Sequence, residues 1–182
     1  MSEYSMKMQE VFSIAQYQAA RFESPYLESW HVLLAMVAVH DSVAGLTFAE
    51  YQNKIAYEEY EAAAVLALGK SPLADVKNVQ FLEQSKALKD VLAFAESICK
   101  VTGSTEVGTE HVLYAMLLNL DLFATRLLEV AGFKNKEDGD SARLLDLRKS
   151  LSRNAGFTKK KSKLSMIFVS LKKLQWAELS QK

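Results

Sequence analysis

The sequence predicts an all-α fold in which one helical unit occurs twice. Apolar residues recur at the three- and four-residue spacing of amphipathic helices, and no segment sustains the alternation of a strand. Only two prolines and seven glycines occur, which favours helix throughout. A register of 80 positions holds without a gap, pairing Val11 with Val91, Ala15 with Ala95, Ser29 with Thr109, His31 with His111 and Met36 with Met116. We therefore predict a pseudo-twofold duplicated helical repeat, with about eight helices in one bundle.

The first repeat is predicted to span about residues 4–70. Its first helix covers residues 5–22 and ends before Pro25, because a proline disfavours helix in the residue that precedes it. Ser29 is expected to cap a second helix that runs to about residue 39. Asp41 and Ser42 start a short third helix, and a fourth is predicted over residues 51–68, before a break at residues 69–72.

The second repeat is predicted to span about residues 81–157. Its first helix is indicated by apolar residues at helical spacing: Leu88, Val91, Leu92, Ala95 and Ile98. Thr109 opens the next helix, and Asp121 is expected to cap a short one that runs to about residue 130. Residues 134–140 form a polar loop in this interpretation, and the last helix covers residues 141–154.

The composition is that of an ordinary globular chain. The 182 residues suit one medium domain, or one domain with a tail, and 49% are apolar. The formal net charge is zero, which disfavours a general nucleic-acid binder. Cys99 is the single cysteine, so no disulfide can form within the chain, in agreement with a reducing cytoplasm. No secretory signal opens the sequence, and the longest apolar run, residues 32–39, is far too short to span a bilayer.

The most informative stretch is Val107-Gly108-Thr109-Glu110-His111-Val112. Thr109 is the expected N-cap of the helix, and Glu110 places a negative charge at the positive end of the helix dipole. Ser29-Trp30-His31 is the corresponding stretch of the first repeat. No further ligand or nucleophile stands at matching spacing, so we interpret His31 and His111 as structural histidines rather than catalytic or metal-binding ones.

This duplicated Gly-Thr-Glu-His pattern resembles the N-terminal domain of the Clp AAA+ unfoldases. The resemblance covers about residues 4–157, and residues 144–157 also look like the end of that domain in the ClpC type. We accordingly expect one domain over residues 1–157, followed by a basic amphipathic tail or linker over residues 158–182.

The resemblance implies a non-catalytic docking module. Such a domain captures adaptor proteins and unfolded or tagged substrates for the Clp ATPase ring or protease, and in ClpC-type members it is associated with recognition of phosphorylated arginine. Carried over by motif, Thr109 and Glu110 would bind phosphate and guanidinium in the second repeat. In the first repeat Ser29 keeps the hydroxyl, but Trp30 replaces the glutamate. Either that site is lost, or the indole stacks on a guanidinium.

Other functions have less support in the sequence. It holds no nucleotide-binding Gly-x-x-x-x-Gly-Lys-Ser/Thr loop, no Gly-x-Ser-x-Gly and no His-Glu-x-x-His, so we expect neither an enzyme nor a cofactor or metal site. The alternative is a stand-alone regulatory subunit of the Clp complex that delivers no substrate. The missing ATPase motif and the unusual tail favour that alternative.

The tail has three interpretations. After a lysine-rich start over residues 159–163, apolar residues follow at helical spacing: Leu164, Ile167, Phe168, Leu171, Leu174 and Trp176. The segment is an extra helix docked on the domain, a poorly ordered end, or a basic amphipathic segment that binds a partner or an anionic surface.

Overall fold

A computed structural model describes residues 3–133 and 143–157 of the chain. These residues contain eight α-helices: α1 (Met6–Arg21), α2 (Ser29–Ala38), α3 (Val43–Ala49), α4 (Tyr57–Leu68), α5 (Lys86–Thr102), α6 (Thr109–Leu118), α7 (Phe123–Ala131) and α8 (Leu144–Asn154). Two short strands, β1 (Glu3–Tyr4) and β2 (Glu106–Val107), form a parallel pair. The all-α repeat bundle that the sequence predicts is confirmed. The predicted loop at residues 134–140 and the tail at residues 158–182 lie outside the described residues.

The first three helices of each repeat keep the sequence register. Helices α1 and α5 both begin after a serine, and the hydroxyls of Ser5 and Ser85 accept hydrogen bonds of 3.2 Å from the backbone N–H groups of Met8 and Leu88. Helices α2 and α6 each contain ten residues and begin 80 positions apart. The fourth pair, α4 and α8, breaks the register because the connection after α7 is longer than the one after α3.

The two repeats are joined by reciprocal backbone pairing, which the sequence did not predict. The N–H of Ser5 donates to the carbonyl of Val107 at 3.1 Å, beside the β1–β2 pair. At the equivalent place, the N–H of Ser85 donates to the carbonyl of Leu27 at 3.0 Å, beside an isolated parallel bridge between Leu27 and Gln84. The segment that enters each repeat therefore pairs with the segment before the other repeat's second helix.

The core is centred on α2 and α6. Met36 and Met116, which the 80-residue register pairs, have no exposed surface. Cys99 is likewise fully buried, and its thiol donates to the carbonyls of Ser104 and Glu106 at 3.3 and 3.1 Å. Burial raises the pKa of this thiol, so it remains a small neutral core residue.

Three predicted helix starts are wrong. Helix α8 begins at Leu144, after its extended N-cap Arg143, rather than at residue 141. The fourth helix begins at Tyr57 rather than at Tyr51, because residues 51–55 form tight turns in which the N–H of Ile55 donates to the carbonyl of Tyr51. Helix α7 begins at Phe123 with Leu122 as its N-cap, so Asp121 does not cap it. Ser42 does cap α3, as predicted, and accepts a hydrogen bond from the Gly45 N–H at 2.9 Å.

Helix α8 contacts the end of α3, in the other repeat, through a cluster of polar side chains. Glu50 accepts hydrogen bonds from Arg153 at 2.7 Å and from Asn154 at 2.8 Å. Nearby, the hydroxyls of Tyr51 and Ser150 lie 3.1 Å apart. These contacts fix the direction in which the chain leaves α8.

No single helix among the described residues is long and apolar enough to cross a membrane. Two pairs of consecutive helices, α2 with α3 and α6 with α7, are long and apolar enough only when the two helices are taken together, and each pair is bent where its helices meet.

Gly45 allows α3 to approach the turn before it, and this gives a stability prediction. A Cβ at position 45 would overlap the backbone carbonyl of Val39, which cannot move freely. We expect Gly45→Ala to lower the free energy of unfolding by about 3 kcal/mol, the upper range for overpacking. Gly69 is a matched control, since open space surrounds it and only its φ of +63° disfavours alanine, at a cost of about 1 kcal/mol. Urea denaturation measures both, and equal losses would contradict the steric explanation.

Candidate functional site

A histidine locks the start of the second helix in each repeat. His31 Nδ1 accepts the Glu28 N–H at 2.9 Å, and its Nε2 lies 3.0 Å from the Ser24 hydroxyl. In the second repeat, His111 Nδ1 accepts the Gly108 N–H at 2.9 Å. Because Nδ1 is an acceptor, it carries no proton in either ring. The predicted hydrogen bonds of these histidines to neighbouring backbone are present in both repeats.

The predicted capping role of Ser29 and Thr109 is wrong. The N-caps are Glu28 and Gly108, and in both repeats the histidine side chain satisfies the backbone N–H of the N-cap residue. Thr109 is 1% exposed, and its hydroxyl instead accepts the N–H of Ala44 at 3.2 Å, in the first turn of α3. Thr109 therefore joins α6 to the short helix of the other repeat.

Glu110 is a largely buried carboxylate without a cation. Its side chain is 19% exposed, and burial raises its pKa above the usual glutamate value. Its Oε1 lies 3.2 Å from His111 Nδ1, but that nitrogen already accepts a hydrogen bond, so the contact is not an ion pair. Among the described residues, no lysine or arginine is paired with this carboxylate. Such a group favours a cationic partner.

Gly108 makes room for the Glu110 carboxylate. A Cβ at position 108 would collide with both carboxylate oxygens. The φ of Gly108 is −90°, so the glycine is needed here for space rather than for an unusual backbone conformation. In the first repeat Glu28 takes the place of the glycine and Trp30 that of the glutamate. The glycine and the glutamate thus occur together in one repeat and are both missing from the other.

Glu110 lines a cleft of about 490 Å³ between the starts of three helices, which we call the α6 cleft. Its walls come from α1, α3, α6 and the turn before β2, and its lining residues are Ser5, Lys7, Asp41, Ser42, Val43, Gly103, Ser104, Thr105, Glu106, Gly108, Thr109 and Glu110. Lys7 is the cation of this lining, and its ammonium lies 2.5 Å from Asp41 and 3.0 Å from Glu10. The lining is polar and carries an excess of carboxylates.

The equivalent place in the first repeat is filled with aromatic side chains. Trp30 is 5% exposed, with its ring centroid 5.0 Å from Phe22 in an edge-on contact and 6.3 Å from Phe123. At the positions that match Ser42 and Glu106 stand Leu122, which comes from the second repeat, and Tyr26. The structure therefore brings Thr109 and Glu110 together in an open cleft and places Ser29 and Trp30 in the core.

The other polar residues of the cleft were not predicted from the sequence. Lys7, Ser104 and Glu106 belong to segments that showed only helix or turn patterns, and Asp41 was considered only as a helix start. For Ser104 the sequence did hold a signal, because the 80-residue register pairs it with Ser24. Each of these serines lies within hydrogen-bond distance of the histidine of its own repeat. In residues 3–133 and 143–157, no three His, Cys, Asp or Glu side chains are grouped as metal ligands.

Comparison with known families shows which family the chain belongs to. The family model of the Clp repeat (R) N-terminal domain matches residues 3–131. The chain belongs to this family. Its domain is a non-catalytic protein-interaction module of Clp chaperones, and the more specific ClpC-type resemblance stays a prediction.

Individual relatives agree with the family. The chain is similar to the chaperone protein ClpB of Oceanobacillus iheyensis, at 22% identity over 163 residues, or 89% of this chain. It spans only 19% of the length of that relative. Among solved structures, it is similar to the N-terminal domain of the caseinolytic protease associated chaperone ClpD from Arabidopsis thaliana, with a TM-score of 0.64 and 15% identity over 84% of this chain and 97% of that one. A structure from a malarial protein secretion system gives a TM-score of 0.56 and 18% identity over 83% and 96%. These two likenesses show the fold alone.

The buried His31 gives a pH prediction. Burial lowers its pKa to about 3, whereas a histidine in an unfolded chain titrates near 6.5. Between these values the unfolded chain takes up a proton that the folded one does not, so stability falls as the pH falls from about 6.5 towards 3. From pH 7.5 to pH 5, we expect this group to remove about 2 kcal/mol from the free energy of unfolding.

Urea denaturation at both pH values, on the wild type and on His31→Gln, isolates that contribution. The variant should lose less stability than the wild type over the same interval. An identical loss in both proteins would contradict the assignment of a neutral, buried His31.

Proposed function

We propose that the chain docks adaptors and tagged protein substrates for a Clp ATPase or protease, and that the α6 cleft binds phosphoarginine. The observation that carries the proposal is the Glu110 carboxylate, which is largely buried, faces an open polar cleft and has no paired cation among the described residues. Membership of the family supports the docking role. Its location would be the cytoplasm, where the lone Cys99 stays reduced.

The guanidinium of the ligand would pair with Glu110. A planar guanidinium donates two parallel hydrogen bonds to a carboxylate, and such charge-assisted pairs are strong in partly buried sites. The pair would replace water around a carboxylate whose burial is offset only in part, by a hydrogen bond to its own backbone N–H. Gly108 supports this role, because it gives the carboxylate its place beside the helix start.

The phosphate would lie at the positive ends of α1 and α6, since the N–H groups of Ala44 and Gly45 in the first turn of α3 are already bonded to Thr109 and Ser42. The first N–H groups of a helix lack intrahelical acceptors and attract anions. Lys7 lines the same cleft and can turn from Asp41 and Glu10 to a phosphate, since all three side chains are substantially exposed. The cleft thus offers opposite charges to the two ends of a phosphoarginine.

One site per chain follows from this proposal. The first repeat has Trp30 in the core between Phe22 and Phe123, so no indole face is open for a guanidinium. Of the two outcomes foreseen for Ser29 and Trp30, loss of the site fits this packing better than stacking on the ligand.

Calorimetric titration with free phosphoarginine tests the proposal. We expect one ligand per chain, and about tenfold or greater loss of affinity in Glu110→Gln, as for a charged hydrogen bond. Gly108→Ala should also weaken binding, because the new methyl group displaces the carboxylate, while the flexible end of Glu110 moves at little cost in stability. Lys7→Gln should reduce affinity about threefold, consistent with an exposed charge pair.

Matched controls are available in the chain. Lys70 pairs with Glu23 at 2.7 Å and is as exposed as Lys7, but it lies away from the cleft, so Lys70→Gln should bind normally. Glu58→Gln on the outer face of α4 should do the same. The absence of wild-type binding, two equivalent sites, or full affinity in Glu110→Gln would each refute a phosphoarginine site here.

A further inference from the structure

An ion pair joins two walls of the α6 cleft. Lys7 lies in the first turn of α1, and Asp41 comes just before α3. The Lys7 ammonium lies 2.5 Å from the Asp41 carboxylate, and both residues line the cleft. The hydrogen bond to Asp41 raises the pKa of Lys7, and the same bond lowers the pKa of Asp41. Both groups are therefore charged at neutral pH.

The Lys7 ammonium has a second partner, Glu10, at 3.0 Å. Glu10 lies on the same helix, one turn further along, and is not among the described residues that line the cleft. Asp41 is thus the partner that Lys7 holds across the cleft. Glu10 keeps the ammonium close to the start of α1 when the bond to Asp41 opens.

The 80-residue register shows how the corresponding place in the other repeat differs. It matches Lys7 with Ala87 and Asp41 with Asp121, so the carboxylate is kept there but the lysine is not. The Asp121 side chain is 96% exposed, and it lies 3.6 Å from Arg126 of its own short helix. Within the described chain, the lysine therefore occurs at the open helix start and is missing from the closed one.

We propose that Asp41 is an internal counter-anion, which the phosphoryl group of a bound ligand replaces at Lys7. The exchange rests on the proposed function, because it takes place in the same cleft and with the same ligand. A phosphoryl group carries about 1.5 to 2 negative charges near neutral pH, against one on the carboxylate, so it is the stronger partner for an ammonium. The Lys7 and Asp41 side chains are 42% and 71% exposed, so they can exchange partners without any shift of a helix.

Asp41 sets the affinity of the cleft through this exchange. A ligand has to take Lys7 from a partner that is already in place, and the bond it breaks is the weak kind formed by exposed ion pairs. Without the Asp41 carboxylate, the ammonium would be available to the phosphoryl group at once. Binding of a phosphorylated ligand would then be tighter.

Calorimetric titration with phosphoarginine tests the exchange through a double-mutant cycle of wild type, Asp41→Asn, Lys7→Gln and the double variant. We expect Asp41→Asn to bind about threefold more tightly than the wild type, as for release of an exposed ion pair. In the Lys7→Gln background, the same change should leave the affinity nearly unchanged, because no ammonium remains to be released. Asp121→Asn, at the matching position of the other repeat, should bind like the wild type.

Two results of this cycle would overturn the exchange. An equal gain from Asp41→Asn with and without Lys7 would mean that the carboxylate only repels the phosphoryl group. Weaker binding in Asp41→Asn would mean that the carboxylate helps the ligand instead of competing with it.

Inorganic phosphate, a probe without the arginine part, separates the exchange from the proposed function. Titrated at constant ionic strength, it should shift the nitrogen-15 resonance of the Lys7 ammonium saturably, at about threefold lower concentration in Asp41→Asn than in the wild type. Lys70, which is 45% exposed and pairs with Glu23 at 2.7 Å, is the matched control and should show no saturable shift.

The outcomes of the two titrations are distinct. If phosphate shifts Lys7 as expected but phosphoarginine does not bind, the exchange holds and the proposed ligand is wrong. If phosphoarginine binds equally well to the wild type and Asp41→Asn, the exchange is wrong while the ligand stands. The absence of a saturable shift at Lys7 with both phosphate and phosphoarginine would also overturn the exchange.

Discussion

Reciprocal backbone pairing between the repeats is the interaction on which the rest of the structure depends. Ser5 pairs with Val107, and Ser85 pairs with Leu27, through hydrogen bonds of 3.1 and 3.0 Å. Each pairing brings the start of one repeat's first helix to the start of the other repeat's second helix. Neither repeat can make these bonds alone, since donor and acceptor lie in different repeats. The α6 cleft exists because this arrangement gathers helix starts from both repeats.

Duplication produced two such places, and they have diverged. Both keep the histidine that stabilises the helix start, because His31 and His111 each accept a hydrogen bond from the N–H of the N-cap residue. Around that shared frame, Gly108 and Glu110 leave a polar opening, whereas Glu28 and Trp30 close it. The residues at these two positions thus differ in the same sense as the two places: one helix start faces solvent with a carboxylate, and the other packs into the core with an indole.

Much of the fold could be predicted from periodicity. The 80-residue register located α1, α2, α3, α5 and α6 closely, since apolar spacing and capping serines are local signals. The start of α4 was missed because the turns at residues 51–55 depend on backbone bonds that helical spacing does not reveal. The short strands were missed because two residues are too few for a pattern.

The candidate site was predictable only in part. Thr109 and Glu110 stood out by motif, but the partner of Thr109 is Ala44, 65 positions away. Lys7 and Asp41 reach the cleft through the same long-range packing, which sequence spacing cannot show. The burial of Trp30 likewise depends on Phe22 and Phe123, which come from different segments.

The most direct test of this account is a backbone amide spectrum of the nitrogen-15-labelled chain, titrated with phosphoarginine. The central claim is that one helix start binds and its duplicate does not. We expect saturable shifts at Gly108, Thr109 and Glu110, with Ser29 and Trp30 unchanged. Equal shifts at both helix starts, or shifts at Trp30 alone, would contradict it.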